Sequence, residues 1–230
     1  MNALGEHILA VGPIAALIGM SGVSAARADA GDVRYQAMLH PMNAAVVGSE
    51  TKGRATFTIS GDELTIHIEV EDAPPGIEHW QHFHGFATGD AAAKCPTDAA
   101  DANHDGIIDL IETELSAGTT MVPFNADPVA MDIPASTYPK ADAHGDYTYQ
   151  TTVSMKALEA AFAKKFPGQR LGLDRRVVFV HGAPDDANLP ATVASLDDIP
   201  AHVTLPIACG VIEKAGAATP AASPRATSRA

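Results

Sequence analysis

The sequence is short of positive charge. Its 230 residues carry 15 Lys and Arg against 28 Asp and Glu, which gives a formal net charge of −13 at pH 7. A surface with this balance repels nucleic acid and anionic membranes and favours cations, so we expect no nucleic-acid partner. The chain also lacks a nucleophile elbow, a phosphate-binding P-loop, a dinucleotide fingerprint and any internal repeat. Its composition, 46% hydrophobic and 19% charged, suits one globular domain.

The first residues lack Lys or Arg before an apolar stretch, yet they otherwise match an export signal. Ile8 to Ala25 are apolar and small, and Ala28-Asp29-Ala30 is a cleavage motif. They predict a signal peptide over residues 1–30, and therefore a periplasmic or extracellular protein with no membrane insertion after cleavage. The alternative is a membrane anchor, but three glycines and a proline interrupt the stretch.

Residues 215–230 are rich in Ala, Pro, Ser and Thr and predict a disordered tail, which leaves a domain over 31–214.

Cysteine is scarce, with Cys95 and Cys209 as the whole complement. In an exported chain, two cysteines predict one disulfide, here closing a very long loop. Two unpaired buried thiols are the alternative, and they are more typical of a cytosolic protein.

Short segments with period-two alternation predict β-strands. Leu64, Ile66, Ile68 and Val70 share one face of a strand, and Gly61-Asp62 before it is a hairpin-turn signal. Further strands are expected at Tyr35–Leu39, Ala55–Ile59, His79–Phe86, Asp146–Val153, Arg176–His181 and His202–Val211. Many short strands between Gly- and Pro-rich turns predict an all-β sandwich or barrel.

One helix interrupts the strands. Ser154 is its expected cap, and Pro167-Gly168 its expected end. Its apolar stripe consists of Met155, Leu158, Phe162 and Phe166.

Twelve consecutive residues, 101–112 (DANHDGIIDLIE), fill every position of an EF-hand calcium loop. The expected ligands are the side chains of Asp101, Asn103, Asp105, Asp109 and Glu112 and the carbonyl of Ile107. Gly106 provides the sharp turn, and a short helix ending at Gly118 is expected to follow. The alternative is an acidic surface turn. Because the loop has no paired neighbour, we expect a structural clip rather than an opening sensor.

His82 and His84 stand two apart on a predicted strand, so both imidazoles leave the same face. Such a pair can form half of a zinc or copper site, or an ordinary polar face. His181 ends another predicted strand. His40, between Met38 and Met42, combines imidazole with soft sulfur, which suits Cu(I), although methionines at a strand end also fill core gaps.

Several blocks of the chain resemble the Cu/Zn superoxide dismutase family, in the family's order. They are GIEHWQHFHGFATGD (Gly76–Asp90), VVFVHGAPDD (Val177–Asp186), IACGVI (Ile207–Ile212) and Pro123-Phe124-Asn125. Together they span about Tyr35 to Ile212, and some strands also resemble the related CHRD domains. The resemblance implies a Greek-key β-sandwich or barrel of the superoxide dismutase type, with one added helix and the calcium loop inserted.

The same resemblance implies roles for individual residues. His82, His84 and His181 match copper ligands, His144 and Asp146 match zinc ligands, Asp185 matches a carboxylate that orients the histidines, and Cys95 and Cys209 match the disulfide. Two family positions differ. Pro123 replaces the histidine that bridges the two metals, and Pro206 replaces the arginine that guides superoxide.

Three functions follow from these features. The first is an exported protein that binds copper and calcium, with zinc as a further candidate. The second is an active dismutase, with superoxide as its substrate. The third is a structural or interaction domain that binds calcium alone. A homodimer is compatible with each of them.

Overall fold

The computed structural model describes residues 31–89, 91–196 and 198–216. The predicted signal peptide and all but the first two residues of the predicted tail lie outside these ranges. Within them, no helix is long and apolar enough to span a membrane.

Nine strands form the described part of the fold. They are β1 (Val33–Pro41), β2 (Lys52–Ser60), β3 (Glu63–Glu71), β4 (Gln81–Gly85), β5 (Thr119–Pro123), β6 (Tyr147–Ser154), β7 (Val177–His181), β8 (Pro206–Val211) and β9 (Glu213–Lys214). The helices are α1 (Ala44–Val47), α2 (Glu114–Ala117), α3 (Met155–Lys165) and α4 (Ala201–Thr204), with short 3₁₀ turns at Asp98–Ala100, Pro128–Ala130 and Leu173–Arg175.

The strands make one curled antiparallel sheet in the order β5-β4-β7-β8-β1-β2-β3-β6, with β9 also pairing with β1. Strands β1, β2 and β3 follow one another, and β8 returns beside β1, which is a Greek-key arrangement. The curl arises at β1, since Val33–Leu39 pair with β2 while His40 and Pro41 pair with β8. The predicted all-β Greek-key fold is confirmed.

The core lies between the two halves of this curled sheet. The predicted alternation of β3 is correct, because Leu64, Ile66, Ile68 and Val70 are all at most 2% exposed. Phe57 of β2 contacts Phe83 of β4, with ring centroids 5.3 Å apart, and Phe83 lies 4.8 Å from Phe124. Burial of each such ring contributes about 1.5–3 kcal/mol, so this cluster holds the halves together.

Helix α3 begins and packs as predicted. The Ser154 hydroxyl accepts a hydrogen bond from the Ala157 amide at 3.1 Å, which caps the first turn. Leu158, Phe162 and Phe166 are buried on its apolar side.

Two parts of the strand prediction were wrong. Residues 201–204 form helix α4, so the last strand begins at Pro206 rather than at His202. Proline has no N–H for a sheet interior, and it is tolerated as the first residue of a strand. Strands β5 (Thr119–Pro123) and β9 (Glu213–Lys214) were not predicted, since the residues of β5 do not alternate between apolar and polar and β9 has only two residues.

Cys95 and Cys209 form the predicted disulfide, with Cα atoms 5.8 Å apart and 114 residues of sequence separation. Cys209 lies in β8 and is 2% exposed. The bridge therefore attaches the start of the long connection between β4 and β5 to the sheet.

Candidate metal centre

The sheet brings three histidines together. His82 and His84 lie on β4, and His181 is the last residue of the neighbouring strand β7. Phe83, between the first two, is fully buried in the phenylalanine cluster of the core. Because side chains alternate along a strand, this packing turns His82 and His84 to the opposite face.

These residues, which we name the histidine trio, have converging imidazoles. One ligand nitrogen from each ring lies within 4.8 Å of the others, and in the part of the chain that the structure describes this is the one such group of His, Cys, Asp or Glu side chains. The ring centroid of His82 lies 4.7 Å from that of His181 and 5.5 Å from that of His84. All three residues are at most 3% exposed.

Each ring of the trio keeps at least one nitrogen without a hydrogen bond. His181 Nδ1 lies 2.7 Å from the backbone carbonyl oxygen of Thr204. A carbonyl can only accept, so Nδ1 carries the proton and Nε2 keeps its lone pair. His84 Nε2 lies 3.0 Å from the hydroxyl of Thr120, which leaves Nδ1. Neither ring nitrogen of His82 has a partner.

The trio is held in its neutral form. Burial, followed by repulsion from His181, keeps the pKa values of His82 and His84 well below the usual value. Burial also lowers the pKa of His181 to about 4, partly offset by the Thr204 carbonyl. Neutral imidazole is the form that binds metal ions.

The four nitrogens without partners are unusual for a folded protein. They are His82 Nδ1 and Nε2, His84 Nδ1 and His181 Nε2, and among the described residues they are the buried side-chain polar atoms that lack a hydrogen bond. Each such atom costs about 1–3 kcal/mol. A metal ion could take one nitrogen from each ring and so satisfy three of the four. The donor set therefore fits zinc or copper, for which imidazole is a good ligand.

Two residues of the trio, His82 and His181, border a cavity of about 270 Å³. Its described walls are Trp80, His82, Leu110, Thr119, Thr120, Ile133, Pro134, His181, Leu196, Ile199 and Thr204. A bound metal would therefore face a largely apolar space, and the described residues of its wall include no Lys, Arg, Asp or Glu.

Three of the residues that hold the site were not singled out from the sequence. Thr120 and Thr204 fix the orientation of two trio rings, as described above. His79 is fully buried, with its ring nitrogens 3.0 Å from the His181 carbonyl oxygen and 2.9 Å from that of Pro74. Thr120 and Thr204 contact histidines that are distant in sequence, and His79 contacts backbone carbonyls. No local sequence motif therefore identifies these three residues.

In the predicted calcium loop, acidic side chains accept hydrogen bonds from backbone amides of the same loop. The carboxylate of Asp101 accepts from the Gly106 amide at 2.9 Å, and that of Glu112 accepts from the Ala102 amide at 2.8 Å. Gly106 has φ 83°, as its position at the sharp turn requires. A four-residue helix, α2, then ends at Gly118 as expected. The acidic side chains of the loop do not converge as closely as the trio does.

The remaining predicted ligands lie apart from the trio. His144 and Asp146 are exposed, and their amides both donate to the Asp142 carboxylate, at 2.7 and 3.0 Å. Asp185 is also exposed, and no described hydrogen bond joins it to a histidine. The partners that orient the trio are Thr204 and Thr120 instead.

No protein-family model matches this chain, and no curated protein matches it. Among solved structures, it is similar to a Cu/Zn superoxide dismutase from Brucella abortus, with 18% sequence identity and a TM-score of 0.37. The similarity covers 78% of this chain and 99% of that chain.

Proposed function

We propose that this chain is an exported metal-binding protein that holds copper through His82, His84 and His181. The observation that carries the proposal is a set of buried, neutral imidazoles that lie close enough to share one ion and that each keep a nitrogen without a hydrogen bond. Three nitrogen ligands leave room for a further ligand from the adjoining cavity. When bound, copper would supply one-electron chemistry between Cu(II) and Cu(I).

The histidine trio predicts one copper ion per chain in protein purified from its own host. Replacing His82 with Ala should abolish this stoichiometric copper, because two nitrogens cannot replace the three-ligand set. The change also removes two buried atoms without partners, so the metal-free variant should keep its fold. Elemental analysis of copper, zinc and calcium, with circular dichroism as a check of folding, measures both.

His67→Ala is the matched control, since His67 lies on β3 away from the trio and faces outward between buried Ile66 and Ile68. It should retain wild-type copper. An unchanged copper content in His82→Ala, compared with the wild-type protein under the same conditions, would show that the trio is not the site. If the protein contained zinc instead of copper, the proposed metal would be wrong but the proposed ligands would stand.

We further propose that loop 101–112 binds Ca²⁺ through Asp101, Asn103, Asp105, the Ile107 carbonyl, Asp109 and Glu112. Support comes from the complete motif and from the absence of basic partners, because the described ion pairs are those of Lys52 with Glu71 and Asp72. Binding requires the carboxylates to rotate toward one point. Asp109, for example, now accepts from the Ala194 amide at 2.6 Å.

This loop is connected to the trio by a short chain of contacts. Asp109 holds the Ala194 amide, and the next residue, Ser195, shares a 2.7 Å hydrogen bond with the Thr204 hydroxyl. The Thr204 carbonyl in turn orients His181. Leu110 of the loop also lines the cavity beside the trio. Calcium binding, which would reorient Asp109, would therefore alter a contact of the segment that supports the metal centre.

Calcium is expected to raise the melting temperature. A ligand that binds only the native state adds roughly 2.7 kcal/mol at a hundredfold excess over its dissociation constant. Glu112→Gln should remove most of this response, because it removes the expected bidentate ligand. Glu114→Gln is the control, since Glu114 is exposed and lies just outside the loop. An unchanged melting curve after EDTA and then calcium would leave the loop as an acidic turn.

Two other functions rank below this proposal. An active dismutase would need efficient capture of an anion, and the cavity beside the trio has no basic side chain in its described wall. If the chain were a structural domain that binds calcium alone, the energetic cost of the trio's buried nitrogens without hydrogen bonds would have no functional explanation. Zinc binding through His144 and Asp146 would need further ligands, since among the described residues no His, Cys, Asp or Glu side chain forms a close group of three with them.

A further inference from the structure

A second set of metal-binding side chains lies on β1. Met38 and His40 alternate with Ala37 and Leu39, which are buried at 1% and 2% exposure in the core. Met38 and His40 therefore face the other way, and Met42 follows just after the end of the strand. All three line one cavity of about 390 Å³.

Core packing does not account for these methionines. Met38 is 46% exposed, although a methionine that fills a core gap would be buried. Met42 is only partly buried, against a small cluster that includes Cys209. His40 is exposed, and no hydrogen bond to its ring is described. Two thioethers and a free imidazole thus share one open cavity.

The walls of the cavity suit a soft cation. The Cys95–Cys209 disulfide forms part of one wall, and His40 pairs in register with Cys209. Glu213 adds a carboxylate, and the chain as a whole carries a net charge of −13. Thioether sulfur and imidazole nitrogen together select Cu(I) over hard ions such as Ca²⁺ or Mg²⁺.

We propose that Met38, His40 and Met42 form a Cu(I) site separate from the histidine trio. The described walls of the two cavities share no residue, so the two sites are expected to load independently. The exposure of Met38 and His40 points to an ion that enters and leaves easily. The proposal does not depend on the trio being a copper site.

The test is an anaerobic titration with Cu(I) in competition with a chromogenic Cu(I) chelator. The His82→Ala variant is used so that the trio does not contribute to copper binding. One Cu(I) per chain is expected, with Cu–S scattering in its X-ray absorption spectrum. Met38→Leu/Met42→Leu keeps the side-chain volumes but removes both sulfurs. It should weaken binding at least about tenfold, since even loss of an outer ligand partner costs that much.

Met131→Leu is the matched control, because Met131 is buried elsewhere in the core and should have no effect. Intact mass confirms that the disulfide stays closed, so that no thiolate supplies the sulfur signal. No Cu(I) in the His82→Ala protein, or equal affinity in the double leucine variant, would overturn the proposal. If the wild-type protein and His82→Ala both bound one Cu(I) per chain, this site would be upheld and the function proposed above rejected.

Discussion

Removal of the Cys95–Cys209 disulfide is expected to lower the free energy of unfolding by roughly 4–5 kcal/mol in the chain-entropy description. The bridge spans 114 residues of sequence, so it removes many conformations from the unfolded chain. It also holds the start of the β4–β5 connection, which contains loop 101–112, against β8. Most domains have a total stability of only about 5–15 kcal/mol, so this loss is large.

Urea unfolding of the oxidised protein and of Cys95→Ser/Cys209→Ser, both in EDTA, measures this difference with metal excluded from both. Reductant should destabilise the wild-type protein and leave the double variant unchanged, which separates loss of the bridge from other effects of the reagent. Equal unfolding midpoints for the two proteins would mean that the closed loop does not restrict the unfolded chain.

The sequence predicted those parts of the structure that depend on local periodicity. The alternation of Leu64, Ile66, Ile68 and Val70 correctly predicted the buried face of β3. The position of Phe83 between His82 and His84 set the direction of both imidazoles by the same rule. The cap of α3 at Ser154 and the turn at Gly61-Asp62 were also local signals, and the structure contains both.

The rest depends on contacts between distant residues, which no local pattern encodes. Thr204 meets His181 across 23 positions, and Thr120 meets His84 across 36. His202 lies in a helical turn because its segment packs back on the loop after β7, where its carbonyl accepts from the Ala183 amide at 2.7 Å. The exposure of Met38 likewise depends on the pairing of β1 with β2 and, at the end of β1, with β8.

Copper-loaded protein is expected to dismutate superoxide about tenfold to a thousandfold more slowly than a sterically equivalent site with electrostatic guidance. The substrate is an anion, and the net charge of −13 repels it. The described wall of the cavity has no Lys or Arg. Screening by salt should raise the rate, because it weakens a repulsion rather than an attraction.

A positive charge placed at the mouth of this cavity should raise the dismutation rate and reverse the direction of its dependence on salt. Leu196 lines the cavity and is 41% exposed, so Leu196→Lys can reach solvent without disturbing the core. At equal copper content it should increase the dismutation rate and make the rate fall with added salt, while Leu196→Gln, which is polar but neutral, should do neither. Pulse radiolysis over a range of ionic strength measures these rates. A wild-type rate near the diffusional ceiling of roughly 10⁹ M⁻¹s⁻¹ would show that capture at the trio needs no basic guide.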